Sequence, residues 1–246
     1  MSIREASSRK AAIRHPLATA AFIFGNKQAL HSAIILESAA YLFGKKYTKN
    51  EWLNALNEID NGQLLPQAEN KENIAVGNNL NTTFGKWIYC CVRVMKPEFM
   101  IETGVAHGAS SWIILNAMHR NSKGRLYSID LPDNDTNAAY NFQSKSKTGW
   151  IVPGKLKDRW ELHLGDAKII LPDLLTQLRN IDIFFHDSDH SYEHMQFEFE
   201  TVLPFLSPEG IILSDDVHKN NTFSEFTGKH NLKALQFNKG GCAVKP

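Results

Sequence analysis

Apolar positions change their spacing near Pro97. Before it they recur at helical intervals in three stretches: Leu30, Ile34, Ile35, Tyr41 and Leu42; then Trp52, Leu53, Leu56 and Ile59; then Phe84, Trp87, Ile88, Cys91, Val92 and Met95. Thr48-Lys49-Asn50-Glu51 is a capping-box pattern that opens the second helix, Gly62 closes it, and Pro97 closes the third. Between the second and third helices, residues 65–79 are polar and hold Pro66, Gly77 and several asparagines, which predicts a loop or linker. Beyond Pro97, β-rich runs at 99–102, 125–130, 160–164, 181–186 and 210–214 alternate with helical patterns at 110–119, 167–178 and 191–206. That alternation predicts an α/β fold with a mostly parallel sheet and helices on both faces. The end of the chain breaks the pattern: 231–237 and 242–245, joined by Asn238-Lys239-Gly240-Gly241, predict a C-terminal antiparallel hairpin. The chain therefore divides into an N-terminal helical extension, 1–79, and an α/β domain, 80–246. The extension is a lid or an oligomer surface: Trp52, Leu53 and Leu56 can pack on their own domain or on another subunit of a homo-oligomer.

Composition narrows the partners. A length of 246 residues with 43% hydrophobic and 22% charged positions suits one α/β domain with an extension. A net charge of +1 gives no electrostatic footprint for nucleic acid. The apolar run at 17–24 is too short to span a bilayer, so no membrane span is expected. Arg4, Arg9, Lys10 and Arg14 make the first residues a basic tail. The three cysteines are an odd number, and Cys90 and Cys91 are adjacent, which predicts reduced thiols and a cytoplasmic setting.

In an open parallel sheet, ligands bind beyond the carboxyl ends of the strands. The first predicted strand runs into Glu102-Thr103-Gly104-Val105-Ala106-His107-Gly108-Ala109-Ser110-Ser111, where glycines let the backbone approach a ligand and a helix N-terminus offers free N–H groups. The second ends in Asp130, placed to accept both hydroxyls of a ribose. The third runs into Gly165-Asp166-Ala167, where an acid can accept from an adenine amino group or cap the next helix. The fourth ends in His186-Asp187-Ser188-Asp189-His190-Ser191-Tyr192 and the fifth in Ser214-Asp215-Asp216-Val217-His218. Carboxylates brought together there repel one another unless a cation balances them. Asp187, Asp215 and Asp216 can supply oxygen ligands to a hard divalent ion such as Mg2+, and His190 can act as a general base beside it. Zinc suits the clusters less well, since neither holds a cysteine.

These motifs, in this order, resemble the class I S-adenosylmethionine-dependent methyltransferases. More narrowly, the stretch from Trp87 to Pro246 is similar to the metal-dependent small-molecule O-methyltransferases, including the macrocin and mycinamicin sugar O-methyltransferases. Gly149-Trp150-Ile151-Val152-Pro153 and Asp158-Arg159-Trp160 share that likeness. The resemblance implies a Rossmann-like, seven-stranded sheet and S-adenosyl-L-methionine as cofactor. It implies that Glu102, Gly104 and Gly108 line the methionine part of the cofactor, that Asp130 holds the ribose, and that Asp166 and Ala167 hold the adenine. Ser110 and Asp187 complete the cofactor-binding set. Asp187, Asp215 and Asp216 would bind the metal, and His190 would deprotonate a hydroxyl on a small-molecule acceptor, sugar-like or another natural product. Asp215-Asp216 departs from the Asp-Asn of catechol-type relatives.

Three other readings share some of these features. An NAD-dependent oxidoreductase has the glycine turn and the acid of the second strand but leaves Asp166 and the two acidic clusters without a role. A non-catalytic S-adenosylmethionine-binding module would use the helical N-terminal third for docking. A methyltransferase without metal would rely on His190 alone.

Overall fold

The structure, a computed structural model, describes residues 27–61, 78–132, 148–237 and 239–246. The basic tail, the apolar run at 17–24, Gly62 and most of the expected linker lie outside the described residues. Before the first strand the described residues include helices α1 (Lys27–Phe43), α2 (Lys49–Asp60) and α3 (Thr83–Met95). The capping box forms as expected, with the Glu51 N–H donating to Thr48 Oγ1 and the Thr48 N–H donating to the Glu51 carboxylate. Helix α3 ends at Lys96 in a left-handed conformation, one residue before Pro97.

The α/β part follows: β1 (Phe99–Thr103), α4 (Ala109–Asn121), β2 (Arg125–Asp130), β3 (Trp160–Leu164), α5 (Ala167–Leu178), β4 (Ile181–His186), α6 (Tyr192–Val202), β5 (Leu206–Ser214), α7 (Thr222–Lys229), β6 (Lys233–Phe237) and β7 (Gly240–Val244). The strands form one seven-stranded sheet in the order β3-β2-β1-β4-β5-β7-β6. β1 to β5 run parallel, and β7 lies antiparallel between β5 and β6. This is the expected Rossmann-like sheet with its C-terminal hairpin.

Three details differ from the sequence expectation. The helix expected at 191–206 stops at Val202 and continues as a short 3-10 turn over Leu203–Phe205, because Pro204 cannot donate a helical hydrogen bond. β5 starts at Leu206, not at 210. Its pairing with β4 shifts register between Ile181 and Ile183, so Pro208-Glu209-Gly210 is an irregularity within the strand. Helix α7 was not anticipated.

Successive residues of β1 point to opposite faces, and each face has its own core. Met100 joins Leu126, Phe185 and Leu213 under helices α1 to α4; Ile101 joins Ile129, Phe184 and Ile212 under α5 to α7. Trp52 and Leu56 of α2 are buried in the first of these, within the same chain. Trp52 stacks on Trp87 of α3 with ring centroids 5.2 Å apart. The Glu58 carboxylate ties α2 to α3, accepting from Arg93 Nη2 at 2.6 Å and from Tyr89 Oη at 2.5 Å. All three cysteines are free and buried. No described helix is long and apolar enough to cross a membrane.

Candidate active site

The sheet brings the chemical residues to one edge. In register, Thr103 pairs with Ile129 and His186, and His186 pairs with Ser214. The ladder then continues past the strands. Gly165 N donates to Asp130 O, Gly104 N to Ile129 O, Asp187 N to Thr103 O and Asp215 N to His186 O, all at 2.8–2.9 Å. Gly104, Asp130, Asp187 and Asp215 thus stand at one level across four neighbouring strand ends, beside the β1/β4 boundary where the strand order reverses.

On the β1/β2 side the turn is tightly built. Gly104 has φ +82°, and a Cβ on it would lie 2.0 Å from Asp187 O, so backbone conformation and packing both demand glycine. Gly108, at φ +96°, caps α4 and packs on Gly149, whose N–H donates to Ala106 O. The Gly149–Val152 segment therefore braces the turn from outside. Glu102 lies beneath it with no exposed surface. Its carboxylate accepts from Ser110 Oγ and Ser111 Oγ at 2.6 Å and from Ser128 Oγ at 2.8 Å. Burial pushes the Glu102 carboxyl up, and the three hydroxyls work against that. Glu102 thus acts on the start of α4 from below. Asp130 also holds the turn: its Oδ2 accepts from Val105 N at 3.0 Å and Ala106 N at 2.7 Å, and its Oδ1 accepts from Leu131 N at 2.8 Å. Asp166 caps α5, accepting from Lys168 N at 2.8 Å, and remains exposed beside the buried Ala167.

The β4/β5 side is less satisfied. His190 Nε2 lies 3.9 Å from Asp187 Oδ1 and 3.6 Å from Asp216 Oδ2. Burial first, then the positive ends of His186 and Lys219, push the His190 imidazole down to about 4, against the pull of Asp216 and Asp189. Partial burial, followed by the negative charges of Asp215, Glu102, Asp216 and Asp130, pushes Asp187 well above the usual carboxylate range. Asp215 rises as well, again first through burial. Burial would also raise Asp216, but Lys219 Nζ, 2.6 Å from Oδ2, brings it below its ordinary value. Asp216 sits in a left-handed conformation at φ +47°, uncommon for a residue with a Cβ.

The donor chemistry here fits a hard divalent cation: three carboxylates, two of them destabilised in their charged form by crowding. The geometry is not that of an assembled site. Among the described residues no three His, Cys, Asp or Glu side chains gather closely enough to hold a metal ion, and Lys219 supplies the positive charge at Asp216.

Behind His190 stands a buried group to which the sequence reading gave no role. His186 Nε2 contacts His190 Nδ1 at 3.2 Å, and His186 Nδ1 contacts Glu198 Oε2 at 2.6 Å. Glu198 is an acid on the apolar stripe of α6 that carries Met195, Phe199 and Val202, and that anomaly was visible in the sequence. Lys219 was also missed, and nothing in its loop distinguished it.

Residues 101–217, a little under half of the chain, match the family described as a methyltransferase domain. A methyltransferase from Geobacter sulfurreducens is 18% identical, with 77% of this chain and 94% of that one covered and a TM-score of 0.50. An O-methyltransferase from Bacillus cereus, in complex with SAH, is 16% identical over 85% and 96%, at 0.47. MycE of the mycinamycin biosynthetic pathway, in complex with Mg, SAH and mycinamycin VI, is 15% identical over 60% and 44%, at 0.43. No curated protein matches the sequence. The matched segment is that of a methyltransferase domain, and the sheet that carries it has the Rossmann-like methyltransferase fold. The matched segment runs from within β1 to just past β5 and holds the strand-end motifs that resemble the S-adenosylmethionine-dependent methyltransferases.

Proposed function

We propose that the protein transfers the methyl group of S-adenosylmethionine to a hydroxyl of a small molecule, with His190 as the general base. One observation carries this reading: a half-buried imidazole stands at the cofactor edge of the sheet, pushed down to about 4, with Nε2 facing two carboxylates at 3.6 and 3.9 Å. Such a ring is neutral at physiological pH and has a lone pair to offer.

The turn at Gly104 and Gly108, with Ser110 fixed by Glu102 below, would hold the methionine end of the cofactor. Asp130 has acceptor capacity beyond its three backbone bonds and would take the ribose; Asp166 and Ala167 would take the adenine. The acceptor oxygen attacks the methyl carbon in line with the sulfur. The O–C bond forms, the C–S bond breaks with its electron pair staying on sulfur, and the hydroxyl proton passes to His190 Nε2. The products are the methyl ether, S-adenosylhomocysteine and an imidazolium that Asp187 and Asp216 stabilise. Asp187, Asp215 and Asp216 would hold Mg2+, which when bound polarises the acceptor oxygen and lowers its pKa. That requires Lys219 to release Asp216.

The test is methyl transfer from radiolabelled S-adenosylmethionine to a catechol, a hexose glycoside and a macrolide. His190→Ala should slow the best of these by about 10²–10⁴-fold while S-adenosylhomocysteine binding stays at the parental level. A full rate in that variant would remove His190 as base. Full turnover in excess EDTA would remove the metal and leave the base in place.

A further inference from the structure

We propose that Trp160 is a positioning residue for the methionine end of the cofactor: through Ser128 it sets the plane of the Glu102 carboxylate, and through Glu102 the place of Ser110. This rests on the reading of the glycine turn and Ser110 as the seat of that end.

Trp160 opens β3, an edge strand, and pairs with Leu126 of β2; Ser128 stands two residues further along β2, on the same face as Leu126. Strand side chains lean along the strand direction, and the indole follows it. Trp160 Nε1 donates to Ser128 Oγ at 2.9 Å. An indole N–H can only donate, so the Ser128 oxygen accepts there and its own hydrogen goes to Glu102 Oε2 at 2.8 Å. Ser128 has no exposed surface, so its hydroxyl has no bulk water to turn to, and these two partners fix it.

Glu102 passes that order on. Its Oε2 accepts from Ser128 and Ser111, its Oε1 from Ser110. Both oxygens belong to one rigid plane, so a bond that fixes Oε2 also fixes Oε1, and with it the Ser110 hydroxyl in the first turn of α4. The series runs from Trp160 to Ser128, to Glu102, to Ser110. Only its last member would meet the cofactor.

The indole is itself held. Its ring packs in the core under α1 to α4. A Cβ on Gly149 would lie 2.2 Å from Trp160 Cη2 and 3.0 Å from Cζ2, so the Gly149 backbone rests on the benzene edge of the ring. Gly149 N in turn donates to Ala106 O at 2.8 Å, and Ile151 N to His107 O at 3.2 Å. The segment that braces the glycine turn from outside therefore sits on the same side chain that orders Glu102 from below. Trp160 joins the two supports of one turn, which is how a preorganised site holds its contact residues.

The test compares two ligands on the full chain by calorimetry: S-adenosylhomocysteine, and 5′-methylthioadenosine, which keeps the adenosine and the sulfur but lacks the amino-acid end. Trp160→Phe keeps a ring against Gly149 and removes the N–H. It should weaken S-adenosylhomocysteine by about 3–10-fold, the worth of one hydrogen bond, and 5′-methylthioadenosine by less than about twofold. Ser128→Ala should show the same selective loss. The double variant should lose no more than Ser128→Ala alone, because the two side chains act in series. Equal weakening of both ligands would reduce Trp160 to support of the fold and overturn the proposal. Parental S-adenosylhomocysteine affinity in Trp160→Phe, or losses that multiply in the double variant, would overturn it too. Failure of the underlying reading looks different: the parent chain would then bind the two ligands equally well, with nothing gained from the amino-acid end, and the proposal would fall with it.

Discussion

The two halves of the strand-end cleft use their acids in opposite ways. On the β1/β2 side, Glu102 and Asp130 are spent on the protein itself: Glu102 accepts from three hydroxyls and Asp130 from three backbone N–H groups. On the β4/β5 side, Asp187 and Asp215 crowd each other with little to balance them, and Asp216 leans on one half-exposed lysine. The first half is a finished cradle whose geometry exists before any ligand arrives. The second is an electrostatic deficit that a cation, a substrate proton or an imidazolium can relieve. Under the proposed function the first half would hold the cofactor ready-shaped and the second would meet the acceptor, the division of labour that methyl transfer between two bound molecules calls for.

The comparison breaks first at Gly104. In Gly104→Ala the new Cβ would sit 2.0 Å from Asp187 O on a residue at φ +82°, so the turn and the start of the β4 loop cannot both persist. The expected loss is about 3 kcal/mol or more in urea unfolding, with no detectable S-adenosylhomocysteine binding by calorimetry. A variant of parental stability and affinity would mean that the cradle is not rigid.

Asp130 and Asp216 sharpen the contrast. Asp130→Ala removes the acceptor for two turn amides and should cost about 1.5–3 kcal/mol in unfolding, with S-adenosylmethionine affinity falling by a similar amount. Asp216→Asn loses only an ion pair to a lysine that is 47% exposed, so its stability should change by less than about 1 kcal/mol. Its activity should instead fall and return in part at higher Mg2+. Equal stability losses in the two variants would erase the distinction between the halves.

Acid titration separates the halves more gently. Asp187 and Asp215 have folded values above 3.8, so the folded state binds their protons more tightly than the unfolded chain does. Their share of stability therefore grows as pH falls from their raised folded values towards about 4. Glu198 has the opposite sign. Its folded value of about 2 lies below 4.5, so its contribution is complete above 4.5 and is lost as pH falls through about 2. Thermal midpoints should first rise on mild acidification and then fall, and saturating Mg2+ should suppress the rise. A monotonic decline from neutral pH would deny the charge deficit on the β4/β5 side.

Much of this arrangement was legible in the chain. β2, β3 and β4 carry the expected boundaries because each is a short apolar run closed by Asp130, Gly165 or Asp187. The hairpin followed from its turn residues, and the level placement of Gly104, Asp130, Asp187 and Asp215 followed from the parallel order. What the sequence left dark depends on three-dimensional pairing. That Asp130 would be drawn into the glycine turn is a matter of how the turn curls back over β2. That Glu198 would reach His186 requires knowing that α6 lays its apolar stripe under the end of β4. Helix α7 buries Phe223 and Phe226 but follows a run of Asp, His, Lys and Asn that reads as loop, which hid its start.

The smallest effect concerns Lys219, and it bears most directly on how the deficit is relieved. Its ammonium is the only group within ion-pair distance of Asp216 that carries a fixed positive charge among the described residues; the other two contacts, His190 and His218, depend on protonation. If Mg2+ binds between Asp187, Asp215 and Asp216, it must first displace that ammonium, and the ion pair is an energetic toll on metal binding. An exposed pair of this kind is worth up to about 1 kcal/mol, so Lys219→Met should tighten Mg2+ binding by about two- to fivefold. Titration of MgCl2 into the full chain by calorimetry reads this directly. Weaker binding in Lys219→Met would show that the lysine supports the metal site, and an unchanged constant would place the metal elsewhere. With the lysine removed and no metal added, Asp216 loses its counter-charge, and the pull of its carboxylate on His190 is no longer shared. The His190 imidazole should then titrate above the parental value of about 4, which a pH titration followed by NMR of its ring signals would record as a shift of its midpoint to higher pH.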